Sequence, residues 1–198
     1  MDFAHAEVAQ PPVADREIIP LKILVAGGFG VGKTTFVGSV SEITPLTTEQ
    51  QMTVESLGID DTSAVPDKTT TTVAMDFGRI TVDEQLILYL FGTPGQSRFW
   101  FMWEDLTKGA VGAVVIVDLR RVHDCFAAID FFESRDVPFI VAVNGFPGSH
   151  LYSDESVRQA LVMPADCPLV RMDARDFRSC MDSLIALVEH ALARSTSD

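Results

Sequence analysis

The sequence predicts an α/β fold, a doubly wound sheet with helices packed against both faces. Six short apolar runs of strand length alternate with segments of helical periodicity from Ile18 onward, an order typical of such sheets. A glycine-rich loop joins the first predicted strand to the first predicted helix. The chain has 198 residues, of which 47% are hydrophobic, enough to bury the core of one domain with extensions.

Each predicted strand is an apolar run, and the predicted helices lie between these runs. Strands are predicted at 21–26, 72–80, 85–91, 113–117, 139–143 and 169–172. Only a few residues separate the second run from the third, so we expect these two to form a hairpin-like pair. Helices are predicted from about Lys33 and at 121–133, 153–161 and 177–193, the last with apolar residues at helical spacing.

Two segments of the chain lack this periodicity. Residues 1–17 are polar and include two prolines, which predicts a flexible N-terminal tail ahead of a domain at 18–198. The stretch 41–68 is rich in acidic, Ser and Thr residues. We interpret it as a long acidic loop, with a short helix near 49–57.

Charge and composition exclude several classes of function. The formal net charge of −13 repels phosphate backbones, so we expect no nucleic-acid partner. No apolar run approaches the roughly 18 residues that span a bilayer, and no secretory signal precedes the first strand. Cys125, Cys167 and Cys180 form no C-x-x-C pair, which favours reduced thiols. We therefore expect a cytoplasmic protein without a transmembrane segment.

The glycine-rich loop carries the most specific motif. Residues 27–34 read Gly-Gly-Phe-Gly-Val-Gly-Lys-Thr and fit the P-loop pattern G-x-x-x-x-G-K-[ST] between a strand and a helix. Backbone N–H groups of such a loop surround phosphate oxygens, and the helix adds its positive end. Lys33 is predicted to reach the β- and γ-phosphates, and the Thr34 hydroxyl to bind Mg²⁺. The predicted phosphate-binding residues are Gly27, Gly28, Gly30, Val31, Gly32, Lys33, Thr34 and Thr35.

Two later segments resemble the switch regions of small GTPases. Residues 72–77 look like switch I, so that Thr72, or Thr71 one position earlier, would sense the γ-phosphate and bind Mg²⁺. Residues 92–96, Gly-Thr-Pro-Gly-Gln, resemble the switch II signature D-x-x-G-Q. The resemblance implies that Gly95 donates its N–H to the γ-phosphate and that Gln96 orients the attacking water. The family's Mg²⁺-associated Asp is Gly92 in this chain.

The Thr-Pro-Gly-Gln sequence is similar to the MglA-like bacterial branch of the Ras superfamily, which also lacks that Asp. Within this branch the chain most resembles the actinobacterial conservon-type GTP-binding proteins, from Ile18 onward. The resemblance implies a small-GTPase fold, with a mostly parallel six-stranded sheet and one antiparallel edge strand. It also implies GTP or GDP as ligand, Mg²⁺ as cofactor, a roadblock-type regulator and a pentapeptide-repeat protein as partners, and peripheral recruitment to the membrane by partners.

The motifs that would read the base depart from the family. Residues 144–147, Asn-Gly-Phe-Pro, stand where small GTPases have N-K-x-D, so Asn144 remains while Pro147 replaces the Asp that pairs with guanine. Residues 172–175 resemble the S-A-K loop, which implies that the Ala174 N–H binds the base carbonyl and that Arg175 stacks on the base. Because proline offers no charged acceptor, the choice between GTP and ATP stays open.

The interpretation that fits these motifs best is a small GTPase that switches between GTP and GDP states and hydrolyses GTP slowly. Gln96 and Lys33 would be its catalytic residues, and Arg98 is an internal candidate for a catalytic arginine or, alternatively, a solvent-facing residue. Partners would bind at 69–76 and 95–105, which include an aromatic-rich run at 99–103. The alternatives are a nucleotide-binding scaffold without hydrolysis and an ATP-binding kinase or ATPase, whose arginine-rich lid segment is missing from the sequence.

Overall fold

The computed structural model describes residues 18–53, 70–95 and 101–196. Within these ranges one sheet contains seven strands: β1 (Ile19–Ala26), β2 (Leu46–Thr53), β3 (Thr70–Thr81), β4 (Leu86–Gly92), β5 (Ala110–Val117), β6 (Phe139–Asn144) and β7 (Leu169–Met172). The α-helices are α1 (Lys33–Val40), α2 (Trp103–Thr107), α3 (Phe126–Ser134), α4 (Asp154–Ala160) and α5 (Phe177–Ser195). A 3₁₀ helix at Leu119–Cys125 leads into α3.

The strands lie in the order β2-β3-β4-β1-β5-β6-β7. Strands β4, β1, β5, β6 and β7 are joined by parallel pairings, whereas β3 pairs antiparallel with both β4 and β2. The predicted α/β fold class is confirmed, as is the hairpin of β3 and β4. Because the carboxyl ends of the parallel strands meet at one edge, the loops that follow them lie together there.

The stretch predicted as an acidic loop contains a strand. β2 pairs with β3 over its full length, from Leu46 opposite Phe77 to Thr53 opposite Thr70. The antiparallel strand β3 therefore lies inside the sheet, whereas the resemblance implied an antiparallel strand at the edge. The helix expected near 49–57 is wrong for residues 49–53, because pairing with a distant strand decides the conformation of this polar segment. The remainder of the predicted loop and the predicted tail at 1–17 lie outside the described residues.

Apolar side chains fill both faces of the sheet. On one face, Ile23 and Val25 of β1 pack in a cluster with α1 and α5. On the other face, Leu24 and Ala26 join a cluster that includes Trp103, α3 and α4. Neighbouring residues of β1 enter opposite clusters because strand side chains alternate between faces. Helices on both faces therefore hold the sheet, and its carboxyl edge, in a fixed frame.

The last helix, α5, is amphipathic. Cys180, Leu184, Leu187 and Ala191 are buried along one side, at the spacing that places residues on one helical face. Other positions, such as Asp182 and Glu189, are exposed. Of the helices in the described part of the chain, none combines the length and the apolar character needed to cross a bilayer.

Candidate nucleotide-binding site

The glycine-rich loop follows β1 at the carboxyl edge of the sheet and ends where α1 begins at Lys33. Gly27 and Gly32 have φ angles of 135° and 110°, a backbone conformation that glycine adopts at little cost. A Cβ on Gly27 would lie 2.4 Å from the Ile116 carbonyl oxygen, and one on Gly32 would lie 2.7 Å from Asn144 Nδ2. Both positions therefore require glycine, for conformation and for space.

The Lys33 ammonium lies within this loop. Its Nζ donates hydrogen bonds to the carbonyl oxygens of Gly27 and Gly28, at 3.0 and 2.7 Å. Burial lowers the pKa of the Lys33 amine to about 8, and the Asp76 carboxylate opposes part of that shift. A Cβ on Gly95 would lie 2.6 Å from Nζ. The amine therefore sits between the P-loop and the segment after β4.

An open cavity of about 440 Å³ lies over the loop. It is lined by the P-loop, the first residues of α1, Asp76 and the segment Thr93, Pro94 and Gly95. The Thr93 side chain is only 2% exposed, and its hydroxyl has no hydrogen-bond partner among the described residues. A buried hydroxyl without a partner is costly. The lining thus combines a cation with a buried hydroxyl that has no partner among the described residues, features that suit a polar ligand.

Asp76 of β3 is a site residue that the sequence did not reveal. The Thr34 hydroxyl donates to Asp76 Oδ2 at 2.6 Å. Asp76 lies opposite Gly92 in the β3–β4 hairpin, and a Cβ on Gly92 would lie 3.0 Å from the Asp76 Cβ. The Asp76 carboxylate therefore occupies the space beside Gly92, the position where the resemblance called for an acid. Counting residues outward from the hairpin turn would have paired the two positions.

Thr34 and Asp76 form a donor set that fits Mg²⁺. They present a hydroxyl and a carboxylate oxygen beside the cavity over the P-loop. Mg²⁺ prefers oxygen ligands, and in phosphate sites it commonly takes one or two from the protein and the others from phosphates and water. The missing Asp at position 92 therefore does not leave this side of the cavity without a carboxylate.

A second cavity, of about 220 Å³, adjoins the first. The two share Gly30, Gly32 and Thr35 in their linings. The second cavity is otherwise lined by the loops after β6 and β7, which contribute Asn144, Gly145, Phe146, Pro147, Asp173, Ala174 and Arg175. These loops are the ones that the sequence predicted to meet the nucleotide base.

Asn144 ties these loops to the P-loop. Its side chain is buried, Nδ2 donates to the Val31 carbonyl oxygen at 2.9 Å, and Oδ1 accepts the Ala174 N–H at 3.0 Å. Both ends of the amide are thus engaged within the protein. The Ala174 N–H, predicted to bind the base carbonyl, points at Asn144 in this structure.

Partly exposed arginine side chains contact the loops around the two cavities. Arg121 Nη2 donates to the Phe29 carbonyl oxygen at the tip of the P-loop, at 2.7 Å. Arg120 binds the buried Asp118 carboxylate, whose pKa this hydrogen bond lowers, and its guanidinium lies 4.0 Å from the centre of the Phe146 ring. Arg175, predicted to stack on the base, is bonded to the Asp173 carboxylate.

One predicted residue lies away from the described site, and two others lie outside the described residues. Thr72 lies within β3, four residues before Asp76, which at ~3.3 Å per residue is about 13 Å along the strand. Its proposed part in Mg²⁺ binding would require this end of β3 to move, because an extended strand carries Thr72 away from Asp76. Gln96 and Arg98 lie outside the described residues, so their roles stay predictions.

The fold and the site together define a nucleotide-binding P-loop protein with a GTPase-like fold. Its structure is similar to the cytosolic domain of the FeoB iron transporter from T. maritima, with a TM-score of 0.62, 16% identity and 87% of this chain covered. The chain spans 64% of that structure's length. It is also similar to the FeoB G-domain from Methanococcus jannaschii, with a TM-score of 0.55 and 14% identity over 87% of this chain and 98% of that one. At these identities the likeness concerns the fold.

The chain belongs to the family described as "Conserved hypothetical ATP binding protein", whose model matches residues 25–194. It is also 33% identical over 126 residues to "Uncharacterized protein MJ1339" of Methanocaldococcus jannaschii. That alignment covers 63% of this chain and 69% of the relative. The family model includes the P-loop and the loops after β4, β6 and β7.

Proposed function

We propose that this protein is a small GTPase that binds GTP and GDP with Mg²⁺, hydrolyses GTP slowly and acts as a molecular switch. The observation that carries the proposal is the position of the Lys33 ammonium, held by two P-loop carbonyls and packed against Gly95. The Thr34–Asp76 pair lines the same cavity. A buried cation, a helix N-terminus and two oxygen donors in one cavity are what a nucleoside triphosphate with Mg²⁺ requires.

The proposed chemistry is in-line attack of water on the γ-phosphate. Lys33 would hold the β- and γ-phosphates, and Mg²⁺, when bound through Thr34 and Asp76, would neutralise phosphate charge. Gln96 follows Gly95 directly in the chain, so we assign it to orient the water while the Gly95 N–H contacts the γ-phosphate. Thr72 and Arg98 would join after the switch segments move. Intrinsic turnover would then be on the order of 10⁻⁴ to 10⁻² per second.

Within the GTPases we assign the chain to the MglA-like, conservon-type branch, on its Thr-Pro-Gly-Gln motif and on Gly92. This assignment implies that the partners are a roadblock-type regulator and a pentapeptide-repeat protein. It also implies that this protein is cytoplasmic and that its partners recruit it to the membrane. Phe101, just after switch II, is 51% exposed, while Trp103 is 2% exposed. An exposed aromatic residue beside a nucleotide-sensing segment suits a partner surface.

Two other functions have observations in their favour. A scaffold that binds nucleotide without hydrolysis is supported by Gly92 and Pro147, which depart from the GTPase motifs. An ATP-binding enzyme is favoured by the family's description as an ATP binding protein. Affinity and turnover measured with each nucleotide distinguish all three functions.

The deciding experiment mixes purified protein with Mg²⁺ and, separately, GTP, GDP or ATP. Affinity is measured by calorimetry and turnover by phosphate release, for the wild type, Gln96→Leu and Lys33→Ala. We expect tighter binding of GTP than of ATP, and phosphate release that falls at least about tenfold in Gln96→Leu while binding persists. Lys33→Ala should bind none of the nucleotides. Lys108→Ala, which removes an exposed lysine paired with Asp105, is the matched control and should behave as the wild type.

Each contrary result points to one alternative. ATP binding equal to or tighter than GTP binding would exclude the GTPase. Bound GTP with phosphate release at the protein-free background would favour the scaffold. Nucleotide binding that survives Lys33→Ala would mean that the P-loop does not hold the phosphates.

A further inference from the structure

The cavity beside the P-loop contains a carboxylate that the base motifs did not predict. Pro147 stands where small GTPases carry the acid that pairs with guanine, and proline has no side-chain acceptor. Asp173 lines the same cavity, at the end of β7. Its side chain is 39% exposed, while the neighbouring residues Met172 and Ala174 are buried.

Asp173 is held in a fixed orientation. Its Oδ1 accepts hydrogen bonds from the Arg175 N–H and Nε, both at 2.9 Å, and its Oδ2 accepts one from Arg175 Nη2 at 2.7 Å. The Asp173 N–H donates to Ser179 Oγ at 3.0 Å. The hydrogen bond from the Arg175 side chain is the main cause that lowers the pKa of Asp173 to about 2. The carboxylate is therefore ionised at neutral pH. These three hydrogen bonds take three of its roughly four acceptor positions, and two of the three come from the Arg175 side chain, which is 68% exposed.

A carboxylate distinguishes guanine from adenine by the pattern of donors on the base edge. Guanine presents two adjacent donors, N1–H and the C2 amino group. Adenine presents a donor at its C6 amino group and an acceptor at N1. An ionised carboxylate only accepts hydrogen bonds, so it pairs with both guanine donors but meets one donor and one repelling lone pair on adenine.

We propose that Asp173 is the specificity-determining residue that binds the N1–H and C2 amino edge of guanine, in place of the acid missing at Pro147, once the ligand has displaced the exposed Arg175 side chain. This inference rests on the proposed function, because it needs a nucleotide whose phosphates lie at Lys33. The two cavities share Gly30, Gly32 and Thr35, so one ligand can extend from the P-loop to Asp173. The site would then select guanine nucleotides with a residue of the β7 loop.

The test measures Mg²⁺-dependent affinity of the full chain for four nucleoside diphosphates, those of guanosine, adenosine, inosine and xanthosine. Asp173→Asn should weaken guanosine diphosphate binding by about 10- to 100-fold and change adenosine diphosphate binding by less than about threefold. The variant should also bind xanthosine diphosphate more tightly than the wild type does, because the new amide can donate to the C2 carbonyl. The control is Asp166→Asn. Asp166 is exposed and precedes the first residue of β7, whereas Asp173 follows the last residue, so this substitution should change none of these affinities.

The wild-type protein alone also tests the inference, so the test does not depend on whether a variant folds. Inosine lacks the C2 amino group, so the wild type should bind its diphosphate about tenfold more weakly than that of guanosine. Equal wild-type affinities for the guanosine, inosine and adenosine diphosphates would overturn the inference while leaving nucleotide binding intact. The inference would also be overturned if Asp173→Asn lowered the affinities for guanosine and adenosine diphosphate equally and did not raise the affinity for xanthosine diphosphate. Asp173 would then have a structural role. A wild type that binds none of the four would overturn the proposed function as well.

Discussion

At the scale of single residues, the cavity over the P-loop is shaped by two opposite charges that come from different elements. Lys33 begins α1, and Asp76 lies in β3. The Thr34 hydroxyl bonds to Asp76, and the Asp76 charge raises the Lys33 pKa against the larger effect of burial. The charges are thus partly balanced before a ligand arrives. A bound nucleotide with Mg²⁺ would add a net negative charge, which the Lys33 ammonium would offset.

Replacing Asp76 distinguishes two effects of its carboxylate, the binding of Mg²⁺ and the electrostatic repulsion of the phosphates. We expect Asp76→Asn to lower the Mg²⁺ affinity of the GDP complex by about 10- to 100-fold, because a charged oxygen donor is lost. With Mg²⁺ chelated, GDP affinity should stay equal or rise, because a negative charge near the phosphates is removed. A titration of Mg²⁺ against GDP binding measures both effects. Asp105→Asn, at an exposed position, is the control, and an unchanged Mg²⁺ dependence in Asp76→Asn would remove Asp76 from the metal site.

The lowered pKa of Lys33 makes nucleotide binding depend on pH. The phosphates bind the ammonium form, and the free protein loses that proton as the pH rises through about 8. GDP affinity should therefore fall above pH 8, by up to tenfold per pH unit until the pKa of the complex is reached. Calorimetry between pH 7 and 9.5 measures the slope. Lys33→Arg, where it still binds, should give a flat profile because arginine stays charged, and a flat wild-type profile would contradict the burial of the amine.

The same pKa shift affects the stability of the unliganded protein in the opposite pH direction. Between about pH 8 and 10.5, the folded and unfolded pKa values of Lys33, the unfolded chain binds more protons at this residue than the folded chain does. The Lys33 contribution to the free energy of unfolding therefore rises with pH across this window. The wild type should gain stability there relative to Lys33→Met in paired denaturant titrations.

At the scale of elements, the loops after β1, β6 and β7 behave as one unit because Asn144 joins them. Its amide contacts the Val31 carbonyl on one side and the Ala174 N–H on the other. Gly32 permits this approach, since a Cβ there would meet Asn144 Nδ2. Asn144 therefore supports both the P-loop and the second cavity. We expect a conformational change in either one to alter the conformation of the other.

Removing the Asn144 amide should cost stability as well as binding. Asn144→Ala leaves the Val31 carbonyl and the Ala174 N–H buried without partners, at roughly 1 to 3 kcal/mol each. We expect the free energy of unfolding to fall by about 2 to 6 kcal/mol, measured by denaturant titration without nucleotide. Gln159→Ala removes an amide from an exposed position of α4 and should cost less than about 0.5 kcal/mol. A loss of that size in Asn144→Ala would mean that the loops hold together without the amide.

The elements that the sequence predicts are those whose residues carry the signal locally. β5 and β6 are almost continuous apolar runs because both faces of the sheet are covered there, and the P-loop is a linear motif. β2 is polar, Leu-Thr-Thr-Glu-Gln-Gln-Met-Thr, and it is a strand because β3 pairs with it. Asp76 and Asp173 were not predicted as site residues for a similar reason. The hairpin pairing with Gly92 brings Asp76 to the first cavity, and the loop after β7 brings Asp173 to the second.

At the scale of the whole molecule, two apolar layers enclose the sheet and each contains cysteine. Cys125 and Cys167 belong to the layer with α3 and α4, and Cys180 belongs to the layer with α1 and α5. All three thiols are free and buried, and burial raises the pKa of each to about 12. They are therefore thiols rather than reactive thiolates at neutral pH.

These thiols report the opening of both layers. In the native protein at pH 8 we expect none of the three to react promptly with an aromatic disulfide reagent, whereas all three should react in denaturant. GDP with Mg²⁺ at a hundred times its dissociation constant should slow native labelling by about 100-fold where global unfolding exposes the thiols. Mass spectrometry of the labelled chain assigns the sites. Prompt labelling of one cysteine would show that its layer opens locally.

The hairpin pairing of Asp76 with Gly92 bears on how such a site can change over evolution. One of the two positions carries the acid and the other must stay small, because their Cβ atoms would lie only 3.0 Å apart. Moving the acid from one strand to the other needs two substitutions, and either one alone leaves two crowded carboxylates or none. The two arrangements are therefore separated by an epistatic barrier although they place a carboxylate in the same region. A search for the linear switch II motif would therefore separate proteins that place a carboxylate in the same region from different strands.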